Sequence, residues 1–250
     1  MSFEVSPAAY DRFMGRFSVP LAREFSGFAQ ARKGDRILDV GCGPGALTAE
    51  LLSLGAQVGA ADASASFVAA VRSRLPAVDV RQAVAEDLPF EDATFDRAVS
   101  QLAVHFFTDP VAGLREMSRV TRPGGMVAAA VWDLTARDTP LAVFWDAAKR
   151  LDPSARNESW RAGTQKGQLA ELLRAADLKD VEESVLVVSR RFADFEDWWD
   201  PFTLGVGPAG TYVLDRDAQG QASLREQCRA LLPTGPFTQE MPAWVVRGRA

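Results

Sequence analysis

The sequence predicts an α/β protein built on a doubly wound, mostly parallel sheet. Short apolar runs suited to strands alternate with stretches of helical spacing. Some runs, Met126 to Trp132 above all, are apolar throughout, as a strand covered on both faces must be. A glycine-rich turn, Gly41-Cys42-Gly43-Pro44-Gly45, joins the first apolar run to a helix. At 250 residues the chain suits one large domain with a modest insertion.

Residues 1–33 form an expected helical cap, with a helix from about Val19 to Ala31 whose Leu21, Phe25 and Phe28 share the face that packs on the sheet. The main domain is expected over 34–250. Ile37, Leu38 and Val40 make a central strand, Ala46 to Leu54 has helical spacing, and Val58 to Asp62 reads as a second strand. Ser64 is placed to cap a helix carrying Phe67, Val71 and Leu75, which Pro76 stops. A third strand is expected at about Val78 to Ala85 and a fourth at Phe95 to Ser100. Asp109-Pro110 opens a helix running through Leu114 and Met117 to Val120, and Pro123-Gly124 turns the chain into the Met126 to Trp132 strand. Beyond Pro140 the pattern predicts helices near Leu141 to Leu151, Gln165 to Ala176 and Ser223 to Leu232, with strands near Val181 to Ser189 and Trp244 to Arg247.

Between those last strands, Ala193 to Gly220 is unusually long. It holds Trp198, Trp199, Pro201 and Phe202, followed by a glycine-rich run from Gly205 to Gly210. We read it as a lid over a ligand site; the alternative is a surface excursion whose tryptophans fill the core.

Composition narrows the function. With 28 basic against 33 acidic residues and a pI near 5.1, the chain has no basic stripe to neutralise phosphates, so nucleic acid is not an expected partner. A small molecule is. No apolar run approaches the roughly 20 residues of a membrane span. The N-terminus carries no basic segment leading into an apolar one, so a cytoplasmic protein off the membrane is expected. Abundant arginine and alanine hint at a GC-rich bacterial genome. Cys42 and Cys228 lie far apart, and a single histidine accompanies them, which leaves no metal-ligand spacing. Cys42 reads as a small residue between glycines, without chemistry of its own.

The ligand of the turn can be argued from charge and spacing. A dinucleotide fingerprint reads G-x-G-x-x-G, whereas Gly41, Gly43 and Gly45 make G-x-G-x-G. Asp39, beside the loop, would repel a pyrophosphate and attract an ammonium group, which favours a cationic cofactor. Asp62, about 20 residues after the first glycine, is placed to meet ribose hydroxyls and suits either kind of cofactor.

At this point the chain resembles the class I S-adenosylmethionine-dependent methyltransferases, in particular their small-molecule, quinone-methylase-like branch. Four stretches carry the resemblance in order: Ile37 to Leu51, the strand ending at Asp62, Ala85-Glu86-Asp87-Leu88-Pro89-Phe90 followed by Phe95-Asp96, and Arg119-Val120-Thr121-Arg122-Pro123-Gly124-Gly125. The resemblance implies a Rossmann-like, seven-stranded sheet with an antiparallel hairpin at one edge. It also implies S-adenosylmethionine as cofactor, leaving as S-adenosylhomocysteine. Asp39 and the backbone of Gly41, Cys42 and Gly43 would face the methionine part, Asp62 the ribose and Ala63 the adenine edge. Tyr10 or Arg16 would reach the methionine carboxylate, with a plain core-covering helix as the alternative for that segment. Many relatives have aspartate where Val84 stands here, which leaves the Ala85 amide with Glu86 or Asp87 for adenine. Gln101 would wall the cofactor pocket. His105 would be a base or an acceptor-binding residue, against a packed or capping histidine.

Methyl transfer from a sulfonium is an in-line displacement that positioning can accelerate without an ionisable residue. The acceptor implied is a small aromatic or apolar metabolite. Ser100-Gln101-Leu102-Ala103 lacks the proline-proline-aromatic turn of amine-directed nucleic-acid methylases. The competing functions are a non-catalytic cofactor-binding regulator or subunit and, further off, a nicotinamide-dependent oxidoreductase.

Overall fold

The computed structural model describes residues 5–250. Its elements are α1 (Pro7–Phe13), α2 (Gly15–Phe28), β1 (Arg36–Val40), α3 (Ala46–Ser53), β2 (Gln57–Asp62), α4 (Ala65–Arg74), β3 (Asp79–Gln82) and β4 (Phe95–Gln101). There follow α5 (Pro110–Val120), β5 (Thr121–Trp132), α6 (Pro140–Leu151), α7 (Gln168–Ala175), β6 (Lys179–Phe192), α8 (Phe195–Trp199), α9 (Gly207–Leu214), α10 (Ala218–Arg229) and β7 (Phe237–Arg249).

The strands form one seven-stranded sheet in the order β3-β2-β1-β4-β5-β7-β6. β1 to β5 run parallel, and β7 is antiparallel to both β5 and β6. The order reverses between β1 and β4, so the carboxyl ends of those two neighbours open a crevice where a ligand can lie.

Period-two alternation along the buried strands separates two apolar layers. Ile37, Ala128, Ala130 and Val245 face the cluster that includes Leu21 and Phe25 of α2 and Leu51 of α3. Leu38, Ala98, Val127 and Val131 face Leu114 and Met117 of α5 with Leu169 and Leu173 of α7. α4 closes the β2–β3 end through Val68 and Val71 on Ala60 and Val80.

Local chemistry sets several helix starts. Ser64 accepts the Phe67 amide and Asp109 accepts those of Val111 and Ala112, the caps expected from sequence. Each such cap contributes about 1 kcal/mol. Several boundaries differ: β5 starts at Thr121 and takes the expected Pro123-Gly124 turn into the strand, α7 starts at Gln168, and α10 starts at Ala218 and ends at Arg229. The N-terminal helix is two pieces broken at Met14, and its second piece starts at Gly15, with Pro20 inside it. β3 stops at Gln82, three residues short of Ala85, because 83–85 bend toward the cavity described below. β6 and β7 run much longer than their apolar cores, because cross-strand pairing from Lys179↔Arg249 to Phe192↔Phe237 carries polar residues into the ladder.

The segment 193–220 folds as α8, a single 3-10 turn over Asp200–Leu204, α9 and the start of α10. Trp198, Trp199 and Phe202 are buried, and the Trp198 indole donates to Gln239 Oε1 at 2.7 Å. Phe202 stacks on Phe144 of α6, with ring centroids 4.7 Å apart.

Candidate functional site

A cavity of about 350 Å³ opens where the chain leaves β1, β2 and β4. Three glycine-associated facts shape its first wall. Gly41 has φ +72°, and a Cβ there would lie 2.3 Å from the Ala103 Cβ, so only glycine lets the loop pass under the segment after β4. Gly43 has φ +54°, and a Cβ there would meet nothing within 4 Å, so its open side faces the cavity. Gly45, at φ +99°, caps α3 in the left-handed region.

The loop amides are largely used within the protein. Gly41 and Cys42 N–H donate to the Ala61 carbonyl at 2.8 and 3.1 Å, and Gly43 N–H donates to Asp62 Oδ2 at 2.8 Å. The other Asp62 oxygen accepts the Ser64 amide at 2.8 Å. Asp62 thus ties the loop after β1 to the turn after β2 while lining the cavity. Burial raises its pKa, against those two amide bonds.

Among the residues singled out from sequence, Tyr10, Gly41, Gly43, Asp62, Ala63, Ala85, Glu86 and Gln101 line this cavity together. Val84, where a carboxylate was noted as missing, lines it as an apolar residue that is 49% exposed. Tyr10 packs edge-on to Phe67, and burial together with Asp62 raises its pKa. Glu86 accepts the Asp109 amide at 3.0 Å, which anchors the β3 exit to the cap of α5.

Four others stand apart from this wall. Arg16 is held by Asp197, with its guanidinium 2.8 Å from the carboxylate and a second bond of 2.6 Å to the Asp197 carbonyl. That long-range pair, unreadable from local sequence, turns it toward the 193–220 segment. The Cys42 side chain packs with Ala60, Val68 and Val71, and burial pushes its thiol pKa well up. Asp39 is 1% exposed behind the loop. Its Oδ2 accepts the Thr48 hydroxyl at 2.6 Å, its Oδ1 has no partner, and burial pushes its pKa up to about 7.

His105 lines a second, smaller cavity that adjoins the first along Tyr10, Leu102 and Phe106. Its ordinary pKa near 6.5 suggested proton abstraction near neutrality; here burial and then the Arg161 charge lower it to about 3. A neutral, weakly basic imidazole results. Leu102, between the cavities, has φ +62°, an uncommon conformation for a branched side chain that costs about 1–2 kcal/mol.

Sequence reasoning missed several wall residues. Phe67 read only as a core position of α4, yet it faces the first cavity. Phe106 and Phe107 after β4, Trp132 at the end of β5 and Glu158 in the α6–α7 connection also carried no local signal. Glu158 sits in an irregular stretch without periodicity or motif, so nothing short of the fold brings it opposite His105.

Chemically, the first cavity offers acceptors more than donors. On its wall Gln101 Oε1 is buried without a hydrogen-bond partner among the described residues, and behind the glycine loop so is Asp39 Oδ1. β1 and β4 are adjacent, with Asp39 opposite Val99, so Gln101 ends β4 at the level of the glycine loop. Two unmatched acceptor oxygens beside a loop whose amides are spent fit a donor-bearing cation better than a phosphate.

Comparison with known proteins agrees. Residues 38–129 match the model of a methyltransferase domain. A demethylmenaquinone methyltransferase from Clavibacter sepedonicus is 31% identical over 203 residues, covering 74% of this chain and 78% of that protein. A malonyl-[acyl-carrier protein] O-methyltransferase from Erwinia billingiae is 38% identical over 104 residues, 42% of this chain but only 41% of that protein's length. A phosphoethanolamine N-methyltransferase from Haemonchus contortus, solved with phosphomonomethylethanolamine and S-adenosylhomocysteine, shares the fold with a TM-score of 0.58 at 16% identity, over 97% of this chain and 56% of that one. The strand order, the glycine loop with its buried acids and these likenesses have one reading: the chain belongs to the class I S-adenosylmethionine-dependent methyltransferases.

Proposed function

We infer that the protein transfers a methyl group from S-adenosylmethionine to a small, largely apolar metabolite. The observation that carries the reading is the pair of unpartnered acceptor oxygens, Asp39 Oδ1 and Gln101 Oε1, at the carboxyl ends of β1 and β4. An ammonium group in the cavity, such as the one on the methionine part of the cofactor, would bond to Gln101 Oε1 and be drawn by the Asp39 carboxylate behind the loop. Asp62 would receive the ribose hydroxyls on the lone pairs that its bonds to Gly43 and Ser64 leave free. Ala63, Ala85 and Glu86 would border the adenine, and Tyr10 would cover the ligand from α1.

When bound, the cofactor supplies an activated methyl on sulfur. The chain's part is to hold acceptor and sulfonium in line and to exclude water. The relatives' names, demethylmenaquinone in one and malonyl-[acyl-carrier protein] in the other, differ, so the acceptor class rests on this protein's own cavities. Val206 and the first helical turn of α9, Gly207 to Ala209, form part of the second cavity's wall, and we assign the 193–220 segment the role of a lid acting through that helix start.

Calorimetric titration with S-adenosylmethionine, S-adenosylhomocysteine and NAD tests the cofactor. Binding of the first two without NAD is expected, and the reverse overturns the reading. Release of S-adenosylhomocysteine across a set of small aromatic and aliphatic acceptors then separates a transferase from a cofactor-binding protein without turnover.

A further inference from the structure

The second cavity bears on which atom receives the methyl. It measures about 60 Å³, and apolar residues such as Phe13, Leu141 and Val206 form most of its wall. Four polar side chains interrupt that wall: Tyr10, which both cavities share, and His105, Trp132 and Glu158. His105, Trp132 and Glu158 are buried. Trp132 Nε1 and His105 Nδ1 have no hydrogen-bond partner among the described residues. Buried polar groups are seldom left unmatched, so two on one cavity point to a ligand that completes them. Glu158 keeps one fixed charge beside it, the Arg161 guanidinium 3.3 Å away.

We propose that this cavity receives the hydroxyl-bearing end of the acceptor, that the Trp132 indole N–H donates to the acceptor oxygen, and that the Glu158 carboxylate takes the proton that oxygen must lose. The proposal rests on the methyl-transfer reading above and narrows it to O-methylation. A neutral amine nitrogen has one lone pair, and an indole N–H bonded to it would occupy the electrons needed for attack. A hydroxyl oxygen has two. It accepts from Trp132 with one, attacks with the other, and points its O–H at Glu158.

The step balances. The oxygen forms the new C–O bond as the C–S bond breaks, the C–S electron pair stays on sulfur, and the sulfonium becomes a neutral thioether. The hydroxyl proton ends on Glu158 and passes to solvent between turnovers.

The groups facing Glu158 leave it as the one that titrates near neutrality. Arg161 shares its connection, His105 comes from the segment after β4, and Tyr10 comes from α1. Burial raises Glu158 to about 7 against the pull of Arg161. The same burial keeps His105 neutral down to about 3, and it raises the Tyr10 phenol above its ordinary value.

The test uses the full chain and one-ring phenols with their matching anisoles and anilines. With S-adenosylhomocysteine bound, phenols should bind at least about tenfold tighter than anisoles by calorimetry because only they donate to Glu158, and Trp132→Phe should weaken phenol binding by removing the donor to its oxygen. With S-adenosylmethionine, phenols should give methyl ethers, with kcat rising through pH 7. Glu158→Gln should lower kcat by about 10²-fold while S-adenosylhomocysteine affinity and melting temperature stay near wild type, and Glu158→Asp should recover part of the loss. Anilines methylated faster than phenols overturn the proposal. So does an unchanged kcat and pH profile in Glu158→Gln, or a phenol affinity unchanged in Trp132→Phe. Cofactor binding with no phenol bound overturns this proposal alone, whereas failure to bind the cofactor overturns the methyl-transfer reading beneath it.

Discussion

Asp62 Oδ2 accepts the Gly43 backbone N–H at 2.8 Å, so the acid ending β2 holds in place the loop that follows β1. One side chain therefore both lines the cavity and builds its wall. Asp62→Ala is expected to weaken S-adenosylhomocysteine binding by roughly 1.5–3 kcal/mol, the range for losing a bond to a charged group, and also to lower the melting temperature. Calorimetry beside a thermal melt checks it. Full stability with lost affinity would mean that the loop holds its shape without the clamp.

The two glycines of the loop should fail in different ways. In Gly41→Ala the new methyl meets the Ala103 Cβ at 2.3 Å, so folding stability should fall before binding is examined. In Gly43→Val the added atoms meet no protein at their root and extend into the cavity. Cofactor affinity should drop far more than the cost of about 1–2 kcal/mol for a side chain at positive φ. Comparing melting temperature with dissociation constant for each variant separates the two cases.

Buried Asp39, raised to about 7, predicts a pH effect of definite sign. A carboxyl whose folded pKa exceeds its unfolded value of about 4 favours the folded state when protonated, so this contribution falls as pH rises from about 4 to 7. A cationic ligand favours the ionised form. S-adenosylmethionine affinity should therefore increase between pH 5.5 and 8 while the ligand-free protein loses some stability over the same range. Asp39→Asn should flatten both trends, as read by calorimetry and thermal melts, and an unflattened affinity profile would take Asp39 out of the binding linkage.

His105, neutral down to about 3, should contribute no step to the rate profile between pH 5.5 and 8. If it meets the acceptor through Nδ1, His105→Ala weakens acceptor binding by about 1–3 kcal/mol and spares cofactor affinity. A purely packed histidine would lower the melting temperature and leave acceptor affinity unchanged.

The 193–220 segment should behave as two parts. Trp198, Trp199 and Phe202 are buried against the core, so their amides should be protected from exchange without ligand. The stretch from Gly205 to Ala209, with left-handed glycines at 205 and 207, should gain protection when S-adenosylhomocysteine and an acceptor are both bound. Trp198→Ala should destabilise the fold by about 3–5 kcal/mol. Uniform protection of the whole segment in the free protein would remove the lid.

The sequence by itself determined the features that repeat locally. Strand and helix periods from Ile37 to Trp132, the caps at Ser64 and Asp109, and the glycine loop with Asp62 beyond it were legible because each depends on neighbours within one or two turns of chain. Spacing from the glycine loop pointed to Asp62, and the resemblance to the class I methyltransferases, not any local period, pointed to Tyr10, Ala63, Ala85, Glu86 and Gln101; all six line one cavity. Tertiary structure alone decided the rest. Arg16 joins Asp197 across most of the chain, Trp132 and Glu158 meet His105 in a cavity, and the tryptophans of the insertion turn inward to Gln239 and Phe144. A charge or an indole carries no period, and its role depends on partners distant in sequence that shield it from water. Burial is likewise a property of the assembled fold, so the shifts that make Asp39 and Glu158 titrate near 7 and keep His105 neutral could not be read from residue type.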